Sequence, residues 1–184
     1  MSLRKTIEVV NKLAERGAIQ RYAIAGAVAA LNYIEPTLTE DLDILVSIAH
    51  FEKHQSGLLL LTPIAKALAD LGYSERTDVG FMIDEWPVQF LPVASALEEE
   101  ALEGAIELDI DITGDPPLKA RVLGAEYIVA IAVKLGRLKD LARVQAFLDA
   151  RAVDLVALKS VVERHDLMTK WLSFCAKAGI ENPL

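Results

Sequence analysis

Apolar positions along the chain change their spacing repeatedly, and each change marks an element. Leu3, Ile7, Val10 and Leu13 recur every three or four residues, the period of one helix face, and Gly17 follows as a stop. Residues 22–25 form a short apolar run ending at Gly26, and the alanine-rich stretch 27–33 stops before Pro36, which predicts strand, tight turn and helix. Residues 41–48 read as a second strand. Its Ile44, Leu45 and Val46 are apolar on both faces, as an interior strand of a covered sheet requires. A helix over 58–71 then closes at Gly72.

The segments shorten after 73. Two strands, 81–83 and 88–91, flank Asp84-Glu85-Trp86-Pro87 and predict a hairpin. Ser95 with Glu98 three residues later is a capping-box pattern opening an acidic helix, and 106–112 alternates like an edge strand. Gly114-Asp115-Pro116-Pro117 is the best boundary in the chain. Beyond it, helical patterns run over 125–150, 153–163 and 166–178, without internal repeats or low-complexity tracts. The chain therefore divides into an α+β part, 1–117, and a helical part, 118–184.

Composition narrows the class. Apolar residues make up 53% of the 184 and charged residues 25%, a balance that supports one folded core with an appendage. The lone Cys175 cannot form an internal disulfide, and Trp171 and Phe174 beside it predict a packed helical face. The N-terminal stretch is amphipathic, and the most apolar run, 127–133, is bounded by Glu126 and Lys134, so no membrane span and a cytoplasmic location are expected. A formal net charge of −8 opposes non-specific attraction to nucleic acid, which depends on cations that neutralise phosphates.

The candidate chemistry lies between residues 24 and 44. Side chains two apart on a strand point the same way, so Asp41 and Asp43 share one face while Leu42 and Ile44 take the other. Two ionised carboxylates this close call for a cation between them, and a hard, oxygen-ligated ion such as Mg²⁺ suits them. The plainer alternative is a solvated strand end. Gly26, at the start of a helix and without a Cβ, lets phosphate oxygens approach backbone N–H groups.

A glycine turn, a helix, then threonine-x-aspartate-x-aspartate on a strand, here Gly26, Thr39, Asp41 and Asp43, resembles the signature of the nucleotidyltransferase superfamily. The later stretch Glu126-Tyr127, Lys134-Leu135, Arg137, Lys139-Asp140 is similar to the helical segment that follows this domain in bacterial stand-alone nucleotidyltransferases, including abortive-infection-type toxins of toxin–antitoxin pairs. The resemblance implies an α+β fold with a nucleotidyltransferase-like mixed sheet flanked by helices over 1–117, followed by a C-terminal helical subdomain over 118–184. It implies transfer of a nucleoside monophosphate from a nucleoside triphosphate to an acceptor hydroxyl. Asp41 and Asp43 would be catalytic and would hold Mg²⁺ or Mn²⁺. Gly26, Ala27, Thr39, Lys134 and Arg137 would bind the nucleotide. The acceptor would be a small molecule, an RNA or a protein, and an antitoxin would be a further partner.

Three positions depart from the family pattern. Gln89 stands where a third aspartate is usual, and its carboxamide carries no charge for a second metal. Ala27 replaces a second glycine or a serine, and Thr37 stands where an arginine is frequent. Gln89 also motivates an alternative function, a catalytically reduced nucleotide- or protein-binding regulator. Lys134, Arg137, Lys139 and Arg143 equally suit the wet face of an amphipathic helix. His50 and His54 lack a visible third ligand for zinc, and the calcium-loop-like start at Asp109 has Ala120 at its closing position. Serine-hydrolase, P-loop and dinucleotide fingerprints are absent from the sequence.

Overall fold

A computed structural model describes residues 3–36, 39–47, 61–110 and 117–184. Thr37, His50, His54, the first residues of the 58–71 helix and the Gly114-Asp115-Pro116 stretch lie outside the described residues, as do the last two positions of the 106–112 strand.

Helix α1 (Leu3–Glu15) buries Ile7, Val10 and Leu13 of the stripe its spacing predicts, with Leu3 partly buried and Val9 added to the core. Strand β1 (Arg21–Ile24) leads through Ala25 into the short helix α2 (Gly26–Ala30), and β2 (Leu42–Ser47) returns antiparallel to β1 with Ile24 opposite Ile44. After α3 (Thr62–Asp70) comes the hairpin β3 (Phe81–Ile83) and β4 (Trp86–Pro92). Its turn residues Asp84 and Glu85 have φ of 49° and 69°, the positive values that match a two-residue turn to strand twist.

Helix α4 (Ala96–Glu103) is capped by Ser95, whose hydroxyl accepts from the Glu98 amide. Glu98 reaches back one residue further than the usual box, accepting from the Ala94 amide at 2.7 Å. Strand β5 (Ile106–Ile110) pairs antiparallel with β6 (Leu118–Val122). The described strands form one mixed sheet in the order β3-β4-β2-β1-β6-β5. Interior β2 is apolar on both faces because it lies between β4 and β1, and β5 is an edge, as its alternation suggested. The sheet continues past Pro117, since β6 lies beside β1 with Val122 opposite Ile24 and buries Ala120 and Val122.

The C-terminal part is helical: α5 (Ala125–Leu135), α6 (Leu138–Asp149), α7 (Leu155–Arg164) and α8 (Met168–Ala178). The pattern over 125–150 is thus two helices. Gly136, at φ 67°, ends α5 in the left-handed conformation, and Arg137 stands at the N-cap position of α6 without a side-chain capping bond. Trp171, Phe174 and Cys175 of α8 are buried together, with the two rings 5.6 Å apart. Glu100 of α4 joins three helices: it accepts from the Tyr127 hydroxyl at 3.0 Å, pairs with His165 Nε2 at 2.7 Å and binds the Arg164 guanidinium. The α+β mixed sheet flanked by helices and followed by a helical part is therefore present. Among the described residues no helix is long and apolar enough to cross a membrane.

Candidate active site

The β1–α2 turn is tied to the start of β2. The Ala25 amide donates to the Asp43 carbonyl at 2.8 Å, which fixes the turn against the strand. Gly26 has φ +60°, and a Cβ built on it would lie 2.2 Å from Asp43 Oδ2. Glycine is required here twice, by the left-handed backbone and by the carboxylate that lies over it. Asp41 stands just before β2, where the Thr39 hydroxyl donates to its carbonyl at 3.1 Å and lies 3.4 Å from its Oδ1. Thr39 thereby holds the backbone that presents Asp41.

Parallel pairing of β2 with β4 puts Gln89 directly beside Asp43. Gly26, Ala27, Thr39, Asp41, Asp43 and Gln89 all line one cavity of about 730 Å³. Arg137, Lys139 and Arg143 of the α5–α6 junction and α6 line the same cavity. Glu40, Glu98 and Asp140 line it as well, together with apolar residues such as Leu91, Ile128, Ile131 and Leu135. Carboxylates from the sheet and cations from the helical part therefore share one space.

Burial raises the Asp43 pKa above the usual aspartate value, and the neighbouring Asp41 charge raises it further; Lys139, Arg143 and Arg137 pull the other way. These cations are close enough to act on Asp43 through the field, yet among the described residues no ion pair joins them to it. Arg137 is held above its ordinary value chiefly by its hydrogen bond to Asp140, with the Asp43 and Asp41 charges adding to it.

Of the residues singled out in the sequence, Lys134 stands apart. Its Nζ donates to Ser95 Oγ at 2.8 Å and to Glu98 Oε1 at 2.7 Å, at the N-terminus of α4, and it does not line the cavity. Lys139 and Arg143, readable as a wet helix face, do line it. The signal for this was Gly136: a C-cap there starts a new helix at Leu138 and changes which side chains face the sheet.

No family model matches the chain, and no curated protein matches it. Among solved structures it is similar to the antibiotic-resistance factor ANT(2'')-Ia, whose solution structure is described as revealing substrate-regulated conformation dynamics. The match covers 95% of this chain and 97% of that one, at 15% sequence identity and a TM-score of 0.49. A likeness of that size carries neither activity nor substrate from one chain to the other.

The donor set bears on a metal. Among the described residues no group of three or more histidine, cysteine, aspartate or glutamate side chains is arranged to hold an ion. Two carboxylates and the Gln89 carboxamide oxygen fit one hard divalent cation of the kind that keeps several waters and takes its remaining ligands from substrate phosphates.

Proposed function

We propose that the chain is a nucleotidyltransferase that moves a nucleoside monophosphate from a nucleoside triphosphate to an acceptor hydroxyl. The observation that carries this reading is the pair Asp41 and Asp43, the latter seated against Gly26, in the cavity that Arg137, Lys139 and Arg143 also line. A polyphosphate needs cations along its length, and the hydroxyl that displaces pyrophosphate needs carboxylates close by.

In the reaction the acceptor oxygen forms a bond to the α-phosphorus, the bond from that phosphorus to the bridging oxygen breaks, and pyrophosphate leaves with the electron pair. The hydroxyl proton passes to the carboxylate pair. Asp41 and Asp43 would hold Mg²⁺ or Mn²⁺, which supplies charge neutralisation on the triphosphate and a lower pKa at the acceptor hydroxyl. The missing Cβ of Gly26 leaves room for the Asp43 carboxylate, Ala27 lines the cavity beside it, and Arg137 with Lys139 and Arg143 supplies positive charge for the outer phosphates. The apolar residues Leu91, Ile128 and Ile131 offer a surface for the base.

Thermal unfolding with each nucleoside triphosphate, with and without Mg²⁺ or Mn²⁺, tests the reading. At one hundred times the dissociation constant, binding to the native state adds about 2.7 kcal/mol of stability. The expected result is a metal-dependent rise in Tm for the wild type that Asp41→Asn and Asp43→Asn lose. No rise with any nucleotide and metal sinks it.

Gln89 beside Asp43 favours a second reading, nucleotide binding with little turnover in a regulatory protein. Gln89→Asp separates the two. If it raises metal-dependent pyrophosphate release from near zero, the native chain is a reduced binder; if the wild type already releases pyrophosphate, the transferase reading stands.

A further inference from the structure

Asp140 is the one buried charged side chain among the described residues, with 1% of its surface exposed. It lies in the first turn of α6, three residues after Arg137 and three before Arg143. Arg137 Nε donates to its Oδ2 at 2.5 Å and Nη2 to its Oδ1 at 3.2 Å, a two-point grip, while Arg143 Nη1 is 3.6 Å from Oδ1. Arg137, Arg143 and Asp140 itself all line the cavity that holds Asp41 and Asp43.

Helix polarity explains a carboxylate in this turn, but an exposed one would serve as well. Burial adds a desolvation cost, and a hydrophobic residue of similar volume is often at least as stabilising as a buried ion pair. The arrangement instead restrains two long side chains that would otherwise sample many rotamers.

We propose that Asp140 is a positioning residue that holds Arg137 and Arg143 as a paired guanidinium clamp for a polyphosphate. The clamp rests on the transferase reading for its place in a reaction, and its ligand class is the triphosphate chain of a nucleotide. Two arginines fixed through a shared carboxylate keep outward N–H donors for phosphate oxygens, since each guanidinium carries five. Lys139, beside them, adds charge without a fixed geometry.

Calorimetric titration of inorganic tripolyphosphate at low salt, without metal, reads the clamp apart from the aspartates. Asp140→Asn is expected to weaken tripolyphosphate binding at least about tenfold, the scale of one charge-assisted hydrogen bond. In the Arg137→Gln/Arg143→Gln background the same substitution is expected to add almost nothing, because the residues act as one unit. A folded Asp140→Asn with wild-type affinity overturns the proposal, as does a full tenfold effect of Asp140→Asn in the background lacking both arginines. Absence of tripolyphosphate binding by the wild type overturns it as well. Should Asp140→Asn fail to fold, Arg137→Gln/Arg143→Gln decides: wild-type affinity refutes the clamp and a tenfold or greater loss sustains it. Tripolyphosphate binding that depends on Asp140, together with no response to any metal–nucleotide, keeps the clamp and removes the transferase reading. Nucleotide binding indifferent to Asp140→Asn does the reverse.

Discussion

Gly26 and Asp43 constrain each other at the level of single atoms. A methyl group on Gly26 would meet Asp43 Oδ2 at 2.2 Å and would also have to occupy a φ of +60°. Gly26→Ala is therefore expected to cost at least about 1–2 kcal/mol, the penalty of a left-handed backbone with a Cβ, before any displacement of the carboxylate is counted. Urea unfolding measures this, and an unchanged midpoint would contradict the contact. Asp43 itself carries an opposite expectation. Its folded pKa lies above the ordinary 3.8, so the native state binds more protons than the unfolded chain as pH rises through that value. Stability contributed at this site falls over that window and stays lower at neutral pH. Asp43→Asn removes the penalty, so at pH 7 it should leave the unliganded protein as stable as the wild type or more so, while abolishing the metal-dependent nucleotide shift. A strongly destabilised variant would point to a structural role. The two aspartates were legible as a pair two residues apart at a strand start, because such spacing is local, although Asp41 itself lies just before β2. Asp140 was not, because nothing in a helical pattern says that a carboxylate in the first turn will be buried under its neighbours.

At the scale of elements, helix ends decide more than helix interiors. Arg151 follows the C-cap of α6 with φ 52°, in the left-handed region without being glycine, and its amide donates to the Leu148 carbonyl at 3.0 Å. Arg151→Gly should relieve the Cβ clash and lose part of the gain to unfolded-chain entropy, a net stabilisation of about 0.5–1 kcal/mol. For a chain of this size that is a rise in Tm of roughly 1–4 °C, measurable by calorimetry, and a fall would show that the arginine side chain contributes more than its backbone costs. The same left-handed geometry at Gly136 divides what reads as one helix over 125–150 into α5 and α6. Periodicity alone runs across the division, since both halves are amphipathic and the break is two residues long. Strand β6 escaped for a related reason. Five residues with two buried positions form too short a pattern to outweigh the proline pair before them, and only pairing to β1 and β5 makes them a strand.

For the whole molecule, Glu100 links α4 to the helical part through Tyr127, Arg164 and His165. The Arg164 hydrogen bond, with those of His165 and Tyr127, lowers its pKa to about 2 from an ordinary 4.5. A lowered carboxylate pKa contributes stability that is complete above the unfolded value and is lost as pH falls from about 4.5 toward about 2. Glu100→Gln should therefore flatten the loss of stability across that acid window, read as the urea midpoint against pH; an unaltered slope would show that the cluster does not couple to folding. The sequence by itself determined the succession of helices and strands up to Ile110, the interior position of β2 and the two-residue spacing of Asp41 and Asp43 at the start of that strand, because each depends on spacing and turn chemistry within a few residues. Only the tertiary structure decided that Gln89 lies beside Asp43, that Lys134 is drawn to Ser95 and Glu98, and that Arg137, Lys139 and Arg143 share a cavity with the aspartates. Those relations depend on strand order and on the phase of helices after Gly136, which are set by packing between segments up to a hundred or so residues apart and leave no local pattern in the chain.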